Sequence, residues 1–382
     1  MFFGAHARQC SRCRDSERED IIMERVYNFA AGPSAMPESA LKRAADEMLC
    51  YGSTGVSVME MSHRNKMYLE IWDEAMAVFK RLMGVPEGYT VLFLQGGATG
   101  QFAAVPMNLI GMTGKADYVD TGNFANGAMK EAQRYGDVRC AASSKDAGYT
   151  FIPDLKRDMF RADASYVHIT GNNTIFGTRY DALPDVGDIP LCADLSSSIL
   201  SEPYDVSRFG VIYAGAQKNI GPAGLTVVIV RNDLMGHALP CCPKIFNYKT
   251  EAEKDSMLNT PPTYSVYMAK LCMEWLESGG GVKAIEQVNI EKAKILYDFI
   301  DNSRLFRNNV EPRYRSRMNV TCVTGSPELD DAFVKGAAKH GLIALKGHRL
   351  VGGIRASIYN AMPIEGVKAL IKYMKQFELE NE

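Results

Sequence analysis

Lys218 is the residue whose surroundings most clearly indicate chemistry in this 382-residue chain. It follows the apolar run GVIYA and lies within AGAQKNIGPAG (214–224), where most neighbours are small or turn-forming. A lysine enclosed in this way loses hydration, so its pKa falls and its neutral amine can attack a carbonyl carbon. Most loop lysines are solvated charges, but this setting favours a nucleophile.

A glycine-rich turn, LQGGATGQ (94–101), connects a strand pattern to a helix pattern. Glycines let the backbone approach a ligand closely, and a helix start offers unpaired N–H groups to an anion. The turn matches neither G-x-x-x-x-G-K-[ST] nor G-x-G-x-x-G. By itself it suits a tight structural turn as well as it suits a phosphate cup.

Asp194 ends the apolar strand pattern IPLCAD (189–194). The carboxyl ends of parallel strands border the ligand crevice, so this carboxylate suits a cationic ligand atom, or else a local cap on Ser196–Ser198. With Lys218 and the glycine turn it fits pyridoxal 5′-phosphate: the turn binds the phosphate, Lys218 forms the Schiff base and Asp194 pairs with the ring nitrogen. Such a pair at ~4 Å contributes roughly 4 kcal/mol at an effective dielectric constant of about 20, which keeps the ring protonated.

Apolar strand patterns alternate with helix patterns, including helices predicted over 39–49 and Tyr68–Met83. The predicted strands are 90–94, 116–120, 138–142, 165–170, 189–194, 210–215 and 225–230. This alternation predicts an α/β fold with a mainly parallel sheet flanked by helices. Beyond GGG (279–281), two helix patterns and the strand-like MNVTCVTG predict a smaller α+β domain. We expect a large domain over 38–280, a small domain from 23–37 and 281–382, and a disordered extension over 1–22.

Composition excludes several classes of protein. Lys plus Arg is 43 and Asp plus Glu is 45, a net charge of −2, which argues against nucleic-acid binding as the main function. No run of 18 apolar residues is present, which excludes a transmembrane helix. The nine cysteines are scattered, a reduced cytoplasmic pattern, and Cys10 and Cys13 have no second ligand pair for a metal. We predict a cytoplasmic enzyme with no metal, membrane or nucleic-acid partner.

Six stretches, in the family's order, resemble the phosphoserine aminotransferases, which are fold-type-I pyridoxal-phosphate enzymes. They are NFAAGPSAMP (28–37), SHRNK (62–66), FLQGGATGQFAAVPMNL (93–109), DVSRFGVIYAGAQKNIGPAGL (205–225), MLNTPPTYS (257–265) and GHRLVGGIRASIYNAM (347–362). The resemblance covers residues 24–382. It implies amino-group exchange between O-phospho-L-serine and 2-oxoglutarate in serine biosynthesis, by a homodimer whose subunits share active sites. It leaves 4-phosphohydroxythreonine open as a second substrate.

The resemblance also implies roles for individual residues. Lys218 carries the internal Schiff base, Gln217 binds the cofactor phosphate, and Thr174 binds the ring oxygen. The implied cofactor-binding residues are Ala98, Thr99, Phe124, Thr174, Asp194, Gln217 and Lys218, with Asn259 and Thr260 from the other subunit. The implied substrate residues are His63, Arg64, His348 and Arg349 at the phosphate and Arg355 at the carboxylate. Arginine suits both anions because it is permanently charged and donates two parallel hydrogen bonds.

Some positions depart from the family pattern. Thr99 stands where an arginine is common, Phe124 where a tryptophan usually stacks on the ring, and Ala30–Ala31 where serines are usual. Phenylalanine still stacks, with less area.

Other functions are also compatible with these residues. The main alternative is a transaminase of the alanine–glyoxylate type. A cysteine desulfurase would need a reactive thiol such as Cys241, Cys242 or Cys322. A regulatory pyridoxal-phosphate-binding module is a third. A nicotinamide dehydrogenase would need an acidic ribose ligand ~20 residues beyond the glycine turn, which is absent.

Overall fold

The computed structural model describes residues 25–381. The extension predicted over 1–22, with its Cys10–Cys13 pair, lies outside the described residues. Within the described range, none of the helices combines the length and apolar character needed to cross a membrane.

The described residues form helices and strands in alternation. The α-helices are α1 (Glu38–Asp46), α2 (Lys66–Met83), α3 (Gly97–Leu109), α4 (Asn123–Ala132), α5 (Tyr248–Ala252), α6 (Thr263–Ser278), α7 (Gly281–Asn302), α8 (Pro327–Lys339) and α9 (Ile364–Glu380). The strands are β1 (Tyr27–Asn28), β2 (Tyr89–Leu94), β3 (Lys115–Asp120), β4 (Asp137–Ser143), β5 (Tyr166–Thr170), β6 (Asn172–Asn173), β7 (Thr178–Arg179), β8 (Leu191–Asp194), β9 (Val211–Gly215), β10 (Thr226–Arg231), β11 (Asn319–Cys322), β12 (Leu342–Ile343) and β13 (Ile354–Ser357). Short 3₁₀ turns occur in several of the connections.

A seven-stranded sheet in the order β2-β10-β9-β8-β5-β3-β4 forms the centre of the molecule. Only β10 runs against its neighbours, and the pairs from β9 through β4 are parallel. The expected α/β fold with a mainly parallel sheet is therefore confirmed. The register places Asp194 beside Thr170 of β5 and Tyr213 of β9, so three central strands end at one edge.

Helices cover both faces of this sheet, which explains why its inner strands β9 and β10 are almost continuously apolar and buried. One face packs in a cluster with α2 and α6 and includes Trp72, Ile212 and Val266. The other packs against α3 and α4 and includes Phe102 and Tyr166. Both layers hold the strand ends in place.

Helix α2 begins at Lys66, two residues before the predicted start. Asn65 caps the helix, accepting a hydrogen bond from the Met67 N–H at 3.1 Å. The first buried residue of the helix is Tyr68, and the apolar periodicity could not show the start before it, where Lys66 is exposed and Met67 only partly buried. Helix α1 ends at Asp46, three residues before the predicted end.

A separate apolar cluster joins Phe29 to side chains of the C-terminal third, from Ala293 to Phe377. Helix α7 spans both regions, because Val282 packs in the sheet's cluster and Ala293 packs in this one. This clustering supports a small domain built from 23–37 and 281–382, and those bounds stay a prediction.

Candidate active site

A cavity of about 300 Å³ lies where β5, β8 and β9 end and α3 begins. Most of the residues expected at the cofactor, and two of those expected at the substrate, line it together. They are Ala98, Thr99, Phe124, Thr174, Asp194, Gln217, Lys218, His348 and Arg355.

Lys218 borders the cavity from the loop after β9. Its Nζ donates a hydrogen bond to Thr174 Oγ1 at 2.7 Å. Burial lowers the pKa of Lys218 to about 8; the charge of Asp194 raises it in part and that of Arg355 lowers it further. Gly32 allows this packing, because a Cβ there would lie 3.3 Å from Lys218 Cγ. The lysine therefore has the reactive, partly neutral amine expected of a nucleophile.

Asp194 is 5% exposed and takes both of the positions that its strand end allows, as a local cap and as a carboxylate beside the cavity. Its Oδ1 accepts a hydrogen bond from the Ser196 N–H at 2.9 Å, so it caps the turn after β8. The same carboxyl group lines the cavity. Burial raises the pKa of Asp194, while hydrogen bonds from Ser196 and the charge of Lys218 lower it. A cationic ligand atom beside it would lower it further.

The glycine-rich turn leads into the first turn of α3. Gly96 has φ +93° and Gly97 has φ +65°, both in the left-handed region that favours glycine. The Gly97 N–H donates to Thr226 Oγ1 at 2.7 Å, which anchors the turn to β10. Ala98 and Thr99 follow in the first helical turn, whose N–H groups have no intrahelical acceptor. This arrangement suits a phosphate group.

Arg355 reaches the cavity from β13, far from the sheet strands in sequence. Its Nη1 lies 3.4 Å from the Thr174 carbonyl oxygen, and its buried Nε has no hydrogen-bond partner among residues 25–381. Burial lowers the pKa of Arg355. A half-buried guanidinium whose buried Nε is unused is a ready site for a carboxylate.

The other expected residues do not line this cavity in the single chain. Arg349 is exposed and borders a separate cavity beside Lys346. Arg64 is exposed and His63 partly so, in the loop before α2. The exposed Asn259 and Thr260 pack near Gln95, whose Nε2 donates to the Thr260 carbonyl oxygen at 3.1 Å.

Comparison with known proteins agrees with this geometry. The family model for class-V aminotransferases matches residues 26–370. A phosphoserine aminotransferase of Bacillus cereus is 52% identical over 359 residues, 94% of this chain and 100% of that protein. The chain belongs to the phosphoserine aminotransferases of class V.

Solved structures show the same relationship. The phosphoserine aminotransferase of Bacillus circulans subsp. alkalophilus aligns with a TM-score of 0.91 at 46% identity, covering 94% of this chain and 100% of that one. The pyridoxal-phosphate-bound enzyme of Trichomonas vaginalis aligns with a TM-score of 0.87 at 39% identity, covering 92% and 100%. An alanine–glyoxylate aminotransferase of Nostoc sp. is only 17% identical, at a TM-score of 0.75, and shares the fold alone.

The cavity's chemical groups fit pyridoxal 5′-phosphate. An amine, a carboxylate and a helix N-terminus match its aldehyde, ring nitrogen and phosphate. Phe124, which is 38% exposed although apolar, offers a ring face 5.9 Å from Lys218 Nζ. The volume is at the lower end for small-molecule sites.

Sequence reasoning missed Thr170 and Ser196. Both line the cavity, and Thr170 Oγ1 is buried with no hydrogen-bond partner in the described part of the chain. Ser196 Oγ accepts from the Gly215 N–H at 3.1 Å and so ties β8 to β9. Thr170 ends a strand, as Asp194 does, so the strand-end argument applied to Asp194 could have found it.

A desulfurase would need a reactive thiol at the cavity, and three described cysteines are the candidates. Cys241, Cys242 and Cys322 are absent from the cavity lining. Burial raises the pKa of Cys242 to about 11 and that of the Cys322 thiol still further. A thiol poised for attack has a lowered pKa instead.

Proposed function

We propose that this chain is a pyridoxal-phosphate-dependent transaminase. It would interconvert O-phospho-L-serine and 2-oxoglutarate with 3-phosphooxypyruvate and L-glutamate, a reaction of serine biosynthesis. The observation that carries this is the pairing of Lys218, a lysine of lowered pKa, with Arg355, a half-buried arginine whose buried Nε is unused by the described residues, in one cavity. The first suits attack on a carbonyl and the second suits an amino-acid carboxylate. The names of the close relatives supply the phosphorylated substrate.

Seven residues of the chain would hold the cofactor. Lys218 would attach it covalently, Asp194 would pair with its ring nitrogen and Thr174 would bond its ring oxygen. Phe124 would cover the ring, while Gln217 and the first turn of α3, with Ala98 and Thr99, would bind the phosphate. When bound, pyridoxal phosphate supplies an electron sink that stabilises negative charge at the substrate Cα.

The chain's own groups then account for substrate handling. Lys218, with a pKa of about 8 in the free protein, can carry a proton between the substrate Cα and the cofactor carbon. Its hydrogen bond to Thr174 Oγ1 orients the amine. Arg355 would bind the α-carboxylate through its free Nε and a terminal nitrogen. His348 would face the substrate phosphate from the cavity wall.

A homodimer with shared active sites explains the residues that lie elsewhere. Asn259 and Thr260, and the His63–Arg64 pair, do not line the cavity of their own chain, and we assign them to the partner's site. Arg349 would join the phosphate site from the loop that carries His348. We also propose a cytoplasmic location, from the reduced-cysteine pattern.

Subunit mixing tests the shared site. Lys218→Ala and Arg64→Ala proteins, each nearly inactive, are mixed and allowed to exchange subunits. A hybrid dimer has one site with both native residues if Arg64 acts across the interface, so about a quarter of wild-type activity returns. If Arg64 acts within its own chain, each site of the hybrid lacks one residue and no activity returns.

A substrate panel tests the reaction. With 2-oxoglutarate as acceptor, phosphoserine should exceed serine, alanine and aspartate as amino donor. A preference for alanine would favour the alanine–glyoxylate alternative. Absorbance of the bound cofactor, bleached by borohydride, distinguishes both transaminases from a nicotinamide dehydrogenase. Bleaching without turnover of any donor would indicate a regulatory binding module.

A further inference from the structure

Lys292 is a fully buried lysine that the proposed reaction does not use. It lies on α7 at 0% exposure, and its Nζ donates three hydrogen bonds to main-chain carbonyl oxygens. The acceptors are Ile358 at 3.0 Å, Tyr359 at 2.9 Å and Met362 at 3.0 Å. No ion pair to a described carboxylate accompanies them. Buried lysines are usually paired with acids, so binding to backbone alone is unusual.

The three hydrogen bonds of Lys292 suit an ammonium group bound by the carbonyl oxygens of one turn of the chain. An ammonium carries three N–H donors, and all three are used, whereas a neutral amine carries only two. Burial lowers the pKa of Lys292 to about 7, while the three carbonyls favour the charged form. Asn289, one helical turn earlier, donates to Asn360 Oδ1 at 2.8 Å. Together the two α7 residues hold the segment 358–362.

Two other groups of segment 358–362 contact residues at or next to the cavity wall. Tyr359 Oη donates to the Ala31 carbonyl oxygen at 2.9 Å, and Ala31 lines the cavity. The Asn360 N–H donates to Asn219 Oδ1 at 3.0 Å, and Asn219 directly follows Lys218. The segment also continues β13, the strand that carries Arg355.

We propose that Lys292 is a positioning residue for the active site. It fixes segment 358–362, and through that segment it fixes the backbone beside Lys218 and the direction of Arg355. It touches neither substrate nor cofactor. A displacement of about 1 Å at reacting groups lowers turnover about 100-fold, so loss of this anchor reaches the chemistry. The kinetic part of the inference rests on the proposed function.

Lys292→Met tests the proposal against a matched control, Lys270→Met. Lys270 is also buried, at 3% exposed, but it pairs with Glu74 and Glu274 on the α2–α6 face. Both variants remove a buried lysine, and both should lower the melting temperature. Only Lys292→Met should lower kcat for phosphoserine, by about 10- to 100-fold, with KM changed much less. Only Lys292→Met should also shift the pH at which the bound cofactor changes absorbance, which reports on the Lys218 nitrogen.

Two milder variants keep the test decisive if Lys292→Met does not fold. Lys292→Gln retains two N–H donors, and Asn289→Ala removes the second anchor without touching a charge. Each should lower kcat and shift the absorbance titration in the same direction, by less than Lys292→Met. Wild-type kcat and titration in the variants that fold would overturn the proposal, as would an equal fall in Lys270→Met. The absorbance titration needs no substrate, so it tests Lys292 even if phosphoserine proves to be a poor donor.

Discussion

The proposed site has two parts: the lysine end, around Lys218, and the phosphate end, where the substrate phosphate would bind. A single chain brings together the groups of the lysine end but not all those expected at the phosphate end. At the lysine end, Lys218 donates a hydrogen bond to Thr174 and lines the same cavity as the buried Asp194. At the phosphate end, Arg64 and Arg349 are exposed and lie outside that cavity. Asp194 thus lies at a strand end and Lys218 in the loop just after one, whereas Arg64 and Arg349 lie in exposed loops.

The difference follows from what holds each group. Asp194 and Thr170 are fixed by neighbouring strands of one sheet, so their spacing is set by backbone hydrogen bonds. The loop with Arg349 belongs to no strand of that sheet: a bridge between Lys346 and Ile354 closes it, and Gly352 and Gly353 adopt positive φ within it. The sheet thus sets the spacing at the lysine end, while the phosphate end depends on loop position and, in the proposed homodimer, on a second copy.

The largest expected effect is at the lysine. Lys218→Ala removes both the nucleophile and the proton carrier, so transamination should be abolished while the fold persists. Stopped-flow absorbance with phosphoserine measures the loss, and circular dichroism checks the fold. Retention of about a hundredth of wild-type turnover would remove Lys218 from the chemistry.

Asp194→Asn should come next. The variant should still bind the cofactor, but the ring nitrogen loses a partner worth roughly 4 kcal/mol, or up to about 1000-fold in rate. The half-reaction with phosphoserine gives the rate, and absorbance gives cofactor occupancy. If the rate is unchanged, Asp194 serves only as the cap of the turn at Ser196.

The arginines test the phosphate end. Arg64→Ala and Arg349→Ala should each lower kcat/KM for phosphoserine by ~2–4 kcal/mol, the scale for leaving a charged partner unpaired. Alanine and serine lack the phosphate and should lose far less. Arg355→Ala should instead weaken every amino-acid donor alike, because all carry the α-carboxylate. Equal losses for phosphoserine and alanine in Arg349→Ala would move that arginine out of the phosphate site.

The smallest effect concerns pH. Only the neutral amine captures the cofactor, so below the Lys218 pKa of about 8 the capture rate should fall about tenfold per pH unit, and above it level off. Between pH 8 and the ordinary lysine pKa, the unfolded chain binds the extra proton, so this group adds stability to the cofactor-free protein as pH rises. Stopped-flow mixing with pyridoxal phosphate measures capture. A rate that keeps rising to about pH 10.5 would indicate a solvated lysine.

Asp194→Asn sharpens the same measurement. The charge of Asp194 raises the pKa of Lys218. Its removal should therefore move the break, the pH above which the capture rate levels off, to lower pH. An unmoved break would mean that the two groups do not interact in solution.

Much of the fold could be predicted because strand and helix patterns are local. The sheet strands begin and end within two residues of the predicted bounds, since each is an apolar run closed by turn residues. Helix α7 was harder: the first of the two helix patterns expected beyond GGG, EKAKILYDFIDNS (291–303), is the second half of a helix that starts at Gly281. Its first half packs through Val282 in the cluster with α2 and α6, whereas its second half packs in the C-terminal cluster, so the apolar residues of the whole helix do not face one core.

The sequence by itself determined the lysine end: small residues around Lys218, glycines before α3 and an acid at a strand end are local features with local causes. The tertiary structure decided which distant groups meet them. Arg355 reaches Thr174 across 181 residues, and Lys292 reaches Tyr359 across 67. The tertiary structure also keeps Arg64 and Arg349 away from these groups in the single chain, where both remain exposed. Contacts between distant segments depend on how whole layers pack, and no short stretch of residues encodes that packing.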